Sequence, residues 1–225
     1  MPVPPALPGA PVTRVLYLHG FASSPKSTKA GFFAERFAER GAAFECPDFN
    51  EPDFETLTMT RMLAQLGGAL AEHAEPATVM GSSLGGTLGV LAASRFPDRV
   101  NRLVLMAPAV MFAKPGHHLL PPDRIRSWRE RGALPFFHYA YGEERPLDVA
   151  FYEDSLRYDA FGAAFDQPTL VFQGRRDASV PPETVEAFAA ARTNVDLTLL
   201  DDDHQLTASL PVMWQAVSQF LGLPA

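Results

Sequence analysis

One short segment of the chain has the spacing of a reactive serine. Residues 81–85 (GSSLG) fit the pattern G-x-S-x-G, with a predicted strand at 77–80 before them and a predicted helix of small residues at 84–96 after them. Such a turn presents the central hydroxyl at a helix start, and its glycines leave room for a strained backbone. The pattern alone is weak, so the strand–helix context is what favours Ser83 as a nucleophile. The alternative is a glycine-rich turn with a capping serine.

A serine hydroxyl needs a general base, and the base needs an acid that orients it. Where the nucleophile lies on a strand–turn–helix segment, both partners come later in the chain. The acid comes first and the histidine follows it. Asp177 lies just after a predicted strand at 169–173, and His204 lies after the last predicted strand at 195–200. We therefore predict Asp177 as the orienting acid and His204 as the base. As an alternative, one carboxylate of the acidic turn at 201–203, otherwise expected to be solvated, takes the place of Asp177.

The same chemistry requires two backbone N–H groups that stabilise the negative oxygen of a tetrahedral intermediate. The residue after the nucleophile supplies one of them, so we predict the Leu84 amide for this role. The second is expected from the loop at 19–25, which follows the first predicted strand. We predict the Phe21 amide, with Ala22 as the next choice, and we expect His19 to fix the loop.

The remaining histidines and the single cysteine have simpler interpretations. His73 lies near a predicted helix end, His117 and His118 lie in the middle of the chain, and His138 lies in an aromatic stretch. We expect all four to be solvated or to serve in packing. Cys46 is the only cysteine, which excludes an intramolecular disulfide, and we expect it to be buried.

The elements that must position these residues alternate along the chain. Apolar patterns predict strands at 12–18, 42–46, 77–80, 102–106, 169–173 and 195–200, and helices at 27–40, 54–73, 84–96, 182–192 and 206–221. Strands that are separated by long helices must run parallel, and the helices then cover both faces of the sheet. The predicted fold is therefore α/β, with a mostly parallel sheet of about six strands.

The middle section, 108–166, interrupts this alternation and is rich in aromatic residues. It is too long for a plain loop, so we expect an inserted, partly helical cap over the carboxyl edge of the sheet, where ligands bind in open α/β sheets. The alternative is an extra crossover with core aromatics. The cap residues expected to line a substrate pocket are Phe112, Trp128, Phe136, Phe137 and Tyr139. Residues 1–225 otherwise form one domain, with 1–11 as a proline-rich tail.

Composition limits the remaining function classes. Of the 225 residues, 47% are hydrophobic and 20% are charged, which is ordinary for a globular enzyme. The net charge of −7 and the lack of a long basic run argue against nucleic acid as a partner. No apolar stretch reaches 18 residues, and 1–11 lack the features of a signal peptide, so we expect a cytoplasmic protein without a membrane span. The sequence leaves the oligomeric state open.

Taken together, these motifs resemble the α/β-hydrolase superfamily over nearly the whole chain. They are Leu18-His19-Gly20-Phe21, the GSSLGG run at 81–86, the segment 174–181 and Asp203-His204. The opening YLHGFASSPKS at 17–27, together with GSSLGG, is similar to the small bacterial YqiA-like esterases. The chain departs from the superfamily pattern in lacking the leading antiparallel strands, and its aromatic cap is longer than in many small esterases. The superfamily resemblance implies an acyl-enzyme mechanism without a metal or an organic cofactor, acting on esters or thioesters.

The sequence therefore predicts a serine hydrolase that cleaves a small carboxylic ester. A thioesterase, a lactonase, a C–C hydrolase and an aminopeptidase would use the same triad, and fold does not distinguish them. An aminopeptidase would need a carboxylate for the substrate amine, for which Glu143, Glu144 and Glu153 are candidates. A binding protein that kept the fold without catalysis is the remote alternative.

Overall fold

The computed structural model describes residues 14–112, 114 and 120–223. Its strands are β1 (Arg14–Leu18), β2 (Ala43–Glu45), β3 (Ala77–Ser82), β4 (Val100–Met106), β5 (Ala133–His138), β6 (Glu143–Asp148), β7 (Thr169–Gly174) and β8 (Val195–Leu200). Six of them form one sheet in the order β2-β1-β3-β4-β7-β8, and every pairing in it is parallel. Strands β5 and β6 form a separate antiparallel pair.

Helices cover both faces of the six-stranded sheet. They are α1 (Thr28–Ala38), α2 (Met59–Ala71), α3 (Leu84–Arg95), α4 (Pro122–Arg131), α5 (Ala150–Ser155), α6 (Pro182–Ala190) and α7 (Leu210–Leu221), with a 3₁₀ turn at Pro97–Arg99. The apolar side chains of α1 and α7 belong to one core cluster, and those of α2, α3 and α6 belong to the other. This arrangement confirms the predicted α/β fold with helices on both sides.

The alternation of side chains along β1 explains why the chain builds two cores. Val15 and Tyr17 point into the cluster under α1 and α7, whereas Leu16 and Leu18 point into the cluster under α2 and α3. All four side chains are fully buried. A parallel strand covered on both sides needs apolar residues facing both ways, and β1 has them from Val15 to Leu18.

Helix α3 lies directly against the sheet and carries the candidate nucleophile at its start. Nine of its twelve residues are buried, which suits a helix that is apolar on most sides. At Gly89 a Cβ atom would lie only 3.4 Å from the Leu105 side chain of β4, so small residues let helix and sheet approach closely. This close packing fixes the position of the turn between β3 and α3.

Two helices begin later than the periodicity of the sequence predicts. Helix α2 begins at Met59, because the Thr58 hydroxyl accepts from the Arg61 amide and thereby caps the helix. Helix α7 begins at Leu210 and not at 206, because Leu206 has a left-handed backbone with φ of 54°. The apolar residues before each helix belong to turns that pack against the core.

The middle section, 108–166, contains helices α4 and α5 and, between them, the β5–β6 hairpin. A partly helical insertion was expected, but the antiparallel hairpin was not. Its inward side chains alternate along β5, where Leu134 and His138 are buried and the residues between them are more exposed. This period of two marks a strand, and it was hidden by the aromatic content of the segment.

The predicted tail at 1–11 and the residues His117 and His118 lie outside the described residues. Within the described ranges, no helix combines the length and the apolar character that crossing a bilayer requires.

Candidate active site

The turn between β3 and α3 holds Ser83 in a strained conformation. Its φ of 53° and ψ of −115° lie outside the regions that a serine normally adopts. A Cβ at Gly81 would lie 2.3 Å from the Gly85 carbonyl oxygen, and a Cβ at Gly85 would lie 2.0 Å from the Leu18 oxygen. Only glycine fits at these two positions, so the G-x-S-x-G spacing is required by the close approach of strand and helix.

Asp177 lies in the loop after β7, and its carboxylate is fully enclosed. One oxygen, Oδ1, accepts from the Ser179 and Val180 amides at 2.8 Å each. The other, Oδ2, accepts from Nε2 of Gln173 at 3.0 Å and faces the histidine. The carboxylate is thus fixed by its own turn and by the last side chain of the strand.

The pKa of the Asp177 carboxyl lies below its usual value. Burial by itself raises this pKa, but hydrogen bonds from His204 and from the amides of Val180 and Ser179 together outweigh it. The group is therefore a carboxylate at neutral pH, as an orienting acid must be.

The imidazole of His204 joins the acid to the serine. Its Nδ1 lies 2.7 Å from Oδ2 of Asp177, and its Nε2 lies 3.1 Å from Oγ of Ser83. Because Asp177 can only accept, Nδ1 carries the proton and Nε2 is free to accept from the serine hydroxyl. The structure therefore brings together the three residues that the sequence singled out, in the arrangement of a nucleophile, a base and an orienting acid.

The three aspartates before His204 have different surroundings. Asp201 is exposed and pairs with Arg176, and Asp203 accepts from the Gln205 amide. Asp202 is buried, contrary to the expected solvated turn, because it accepts from the Asp203 amide and from the amide and hydroxyl of Ser209. It is Asp177, and none of these three, that lies at Nδ1 of His204.

The two predicted oxyanion donors lie next to the nucleophile. Leu84 is the first residue of α3, where backbone N–H groups have no partner within the helix. The loop at 19–25 comes close to Ser83, since a Cβ at Gly20 would lie 3.5 Å from the Ser83 Cβ. Within the described residues, neither the Phe21 amide nor the Leu84 amide has a hydrogen-bond partner. Among the described residues, no other backbone acceptor therefore competes for these two amides.

His19 and Asn50 fix the 19–25 loop by hydrogen bonds between this loop and residues 49–50. Nε2 of His19 accepts from the Phe49 amide at 3.0 Å, and Nδ1 donates to the Gly20 oxygen at 2.9 Å. Asp48 also lies 3.5 Å from Nε2, but the Phe49 amide already uses this nitrogen, so we regard the Asp48 contact as secondary. Nδ2 of Asn50 donates to the Ser23 oxygen at 2.8 Å. The predicted loop-fixing role of His19 thus agrees with its contacts, whereas Asn50 had no motif that could reveal it.

A cavity of about 210 Å³ lies between the insertion and the 19–25 loop. Its lining is almost entirely apolar and consists of Phe21, Phe112, Leu120, Ile125, Trp128, Phe136, Phe151 and Tyr152. Of the five predicted pocket residues, three line this cavity. Phe137 and Tyr139 do not, and they are 50% and 74% exposed, because they alternate with inward-facing residues of the hairpin.

One group of side chains elsewhere has the donor set of a metal site. Glu45, Glu72 and His73 each offer a ligand atom, and these atoms lie within 4.8 Å of one another. The guanidinium of Arg14, however, donates to both carboxylate oxygens of Glu45. Since a buried cation already neutralises this carboxylate, the cluster is better described as an ion-pair network. It includes no residue of the serine site.

A model described as "Uncharacterised protein family (UPF0227)" matches residues 14–221. The sequence matches none of the curated proteins.

Solved structures with a similar fold include several hydrolases. Est1E from Butyrivibrio proteoclasticus, with ferulic acid bound, has a TM-score of 0.80 and 22% identity, covering 94% of this chain and 88% of that one. A putative hydrolase from Agrobacterium vitis has a TM-score of 0.81 and 24% identity, covering 95% and 91%. Alpha/beta hydrolase domain-containing protein 10 from mouse has a TM-score of 0.78 and 22% identity, covering 93% and 89%. The chain therefore has the α/β-hydrolase fold.

Proposed function

Since this chain belongs to the uncharacterised protein family UPF0227, the family of the YqiA-like proteins, and has the α/β-hydrolase fold, we propose that it is a serine hydrolase that cleaves a carboxylic ester. The observation that carries the proposal is the unbroken hydrogen-bonded chain from the Asp177 carboxylate through the His204 imidazole to the Ser83 hydroxyl.

Acylation begins at the Ser83 hydroxyl. Nε2 of His204 takes the hydroxyl proton while Oγ attacks the carbonyl carbon of the ester, and the carbonyl electrons move onto oxygen. The amides of Phe21 and Leu84 stabilise this oxyanion. A single donor of this kind is worth about 100- to 1,000-fold in kcat in serine enzymes. The buried carboxylate of Asp177 stabilises the imidazolium that forms.

The tetrahedral intermediate then collapses. The carbon–oxygen bond to the alcohol breaks, and the imidazolium of His204 gives its proton to the departing oxygen. The acyl group stays on Oγ of Ser83 until water, deprotonated by the same imidazole, attacks it and releases the carboxylic acid. The cycle returns Ser83 and His204 to their starting protonation states and consumes one water molecule.

The apolar cavity supports an ester whose acyl or aryl part is apolar. Phe21 supplies both a proposed oxyanion amide and one wall of the cavity, which supports placing the apolar part of the substrate there. Est1E, which shares the fold, binds ferulic acid, an aromatic acid, and this agrees with an apolar group of similar kind here.

No contact favours the aminopeptidase alternative. Glu153 is half exposed and pairs with Arg129, Glu143 pairs with Arg145, and Glu144 is exposed on β6. None of the three lines the cavity. Thioesters and lactones would use the same machinery, and the complete triad argues against a binding protein without catalysis.

The test is hydrolysis of a series of p-nitrophenyl esters, from acetate to palmitate, by wild type, Ser83→Ala and Ser82→Ala. We expect wild type to be active and Ser83→Ala to lose more than about 1,000-fold in kcat, as removal of a triad nucleophile does. The neighbouring Ser82→Ala is the matched control and should retain activity. Equal rates for wild type and Ser83→Ala would contradict the proposal.

A further inference from the structure

Lys29 is a buried cation beside the loop that carries His204. It lies near the start of α1, and only 8% of its surface is exposed. Its Nζ donates to the carbonyl oxygen of Gln205 at 2.7 Å. Gln205 directly follows His204, so this single contact ties α1 to the backbone next to the proposed base.

Other hydrogen bonds also hold this loop, one of them at His204 itself, where the Gln205 amide donates to the Asp203 carboxylate at 2.8 Å. The Arg176 amide donates to the Asp202 oxygen at 3.0 Å, and the Asp202 carboxylate binds Ser209 near the start of α7. Leu206 has a left-handed backbone and a fully buried side chain. The loop is therefore held at both ends and by its own turn at His204, while Lys29 binds the carbonyl of the next residue, Gln205, from a separate element, α1.

The position of Lys29 is costly for folding. A buried ammonium is stable only where charges or hydrogen bonds replace its lost water. Among the described residues no carboxylate lies within 4.0 Å of Nζ. An apolar side chain of similar length would fill the same space without this cost. A buried lysine with this cost, bound to the loop that carries His204, is a candidate for a role in the site.

Three carboxylates nevertheless face the ammonium at longer range. Burial lowers the pKa of Lys29 to about 8, while the negative charges of Asp203, Asp177 and Asp202 act in the opposite direction. These come from the loops after β7 and β8, the same loops that carry the proposed acid and base. The ammonium is thus within the electrostatic field of the site.

We propose that Lys29 is a positioning residue for the base: its ammonium holds the Gln205 carbonyl and thereby keeps the His204 imidazole between Ser83 and Asp177. This inference rests on the proposed serine hydrolase function. It assigns no contact between Lys29 and the substrate.

The test compares Lys29→Met, Lys29→Arg and wild type, with Lys26→Met as the matched control. Lys26 is an exposed lysine three residues earlier, so its replacement makes the same chemical change away from the loop. We expect Lys29→Met to lower kcat by about 10- to 100-fold, the range expected for a small misplacement of a catalytic group, with little change in KM. Lys29→Arg should recover much of the rate, since a guanidinium also carries charge and donors.

The pH profile separates positioning from a general structural role. In wild type, kcat should fall as pH rises through about 8, because a neutral amine binds the Gln205 oxygen more weakly than an ammonium does. In Lys29→Arg this alkaline fall in kcat, the alkaline limb of the pH profile, should disappear, since arginine stays protonated. Thermal unfolding should show Lys29→Met to be as stable as wild type or more stable, because a buried charge that no described carboxylate contacts directly has been removed.

Labelling of Ser83 by a fluorophosphonate distinguishes the two ways in which this proposal can fail. If wild type and Ser83→Ala label equally, the proposed hydrolase function and the role of Lys29 both fall. If labelling needs Ser83 but Lys29→Met reacts at the wild-type rate, or if Lys29→Arg keeps the alkaline limb, only the role of Lys29 is overturned.

Discussion

At the scale of single residues, the acid of the proposed triad is held by more hydrogen bonds than the base. Two amides, one glutamine and the histidine donate to the Asp177 carboxylate. Gln173, the residue that binds it from β7, is fully buried, and within the described residues its Oε1 has no partner. A buried amide oxygen without a hydrogen-bond donor lowers the free energy of unfolding. The same side chain, however, donates from Nε2 to Asp177 and so fixes the acid.

Replacement of Asp177 tests whether this carboxylate orients the base. Asp177→Asn keeps the shape but presents an N–H to Nδ1 of His204, which favours the wrong tautomer. We expect kcat to fall by about 1,000- to 10,000-fold, as for such a change in other triads. The control is Asp201→Asn, an exposed aspartate near the same histidine. A loss below about tenfold for Asp177→Asn, measured with p-nitrophenyl butyrate, would point to a different acid.

Asp202 gives a prediction about stability and pH. Burial raises the pKa of its carboxyl, but hydrogen bonds from Ser209 and the Asp203 amide and the charge of Arg176 lower it below the usual 3.8. A group whose pKa is depressed by folding stabilises the protein above its unfolded pKa and loses this effect as pH falls through the folded value.

We therefore expect Asp202→Asn to reduce the free energy of unfolding by about 1–3 kcal/mol at pH 7, the usual cost of losing hydrogen bonds to a buried charge. The difference from wild type should shrink as the pH falls below 3.8. Urea unfolding at pH 7 and at lower pH measures both values. A constant difference across this range would show that the carboxylate charge is not what stabilises the turn.

At the scale of elements, strand β5 decides which aromatic residues reach the cavity. Phe136 lines it and packs edge-on against Phe21, with ring centroids 5.5 Å apart. The next residue, Phe137, points away and contacts the exposed Tyr139 instead. Adjacent phenylalanines therefore have opposite surroundings, which a strand imposes and a helix would not.

The pair Phe136→Ala and Phe137→Ala tests this assignment. Removing the inward ring enlarges the cavity, so the ratio of kcat/KM for octanoate over butyrate should rise by about tenfold, within the range that a pocket gives for added methylene groups. Removing the outward ring should leave the ratio unchanged. If both variants shift it equally, the cavity is not where the acyl group binds.

At the scale of the whole molecule, the insertion and the α/β domain are joined at the loop that carries Phe21. The Tyr139 amide donates to the Ala22 oxygen at 2.9 Å. Nε2 of His138 lies 3.0 Å from Oδ1 of Asn50, which in turn binds Ser23. Burial lowers the pKa of His138, so its ring is neutral and donates from Nε2. The hairpin and the 19–25 loop are therefore parts of one hydrogen-bonded unit.

Asn50→Ala removes the hydrogen bonds that join the Ser23 oxygen of the loop to His138 of the hairpin. We expect kcat to fall by between about 10- and 100-fold, because the Phe21 amide would no longer be held in place for the oxyanion. The matched control is Asn101→Ala, in β4, which does not contact the loop. Steady-state kinetics with circular dichroism at the assay temperature checks both rate and folding. An unchanged kcat in folded Asn50→Ala would contradict a rigid connection.

The sequence by itself determined the class of fold and the three residues of the proposed triad. The parallel sheet follows from apolar strands separated by helices, since such strands cannot pair otherwise. Ser83, Asp177 and His204 each come within four positions of the end of a predicted strand, and the carboxyl ends of parallel strands meet at one edge. Local signals were sufficient because each residue is placed by the element that precedes it.

Only the tertiary structure decided how the site is supported and which aromatics line the cavity. Asn50, Gln173 and Lys29 belong to no motif. Gln173 binds Asp177, only four positions away, but Asn50 and Lys29 have partners far away along the chain, up to 176 positions for Lys29 and Gln205. The hairpin was missed because the aromatic content of 133–148 hid its period of two, and Phe137 and Tyr139 were assigned to the pocket for that reason. Contacts between distant segments depend on packing, and a local pattern of residues does not encode them.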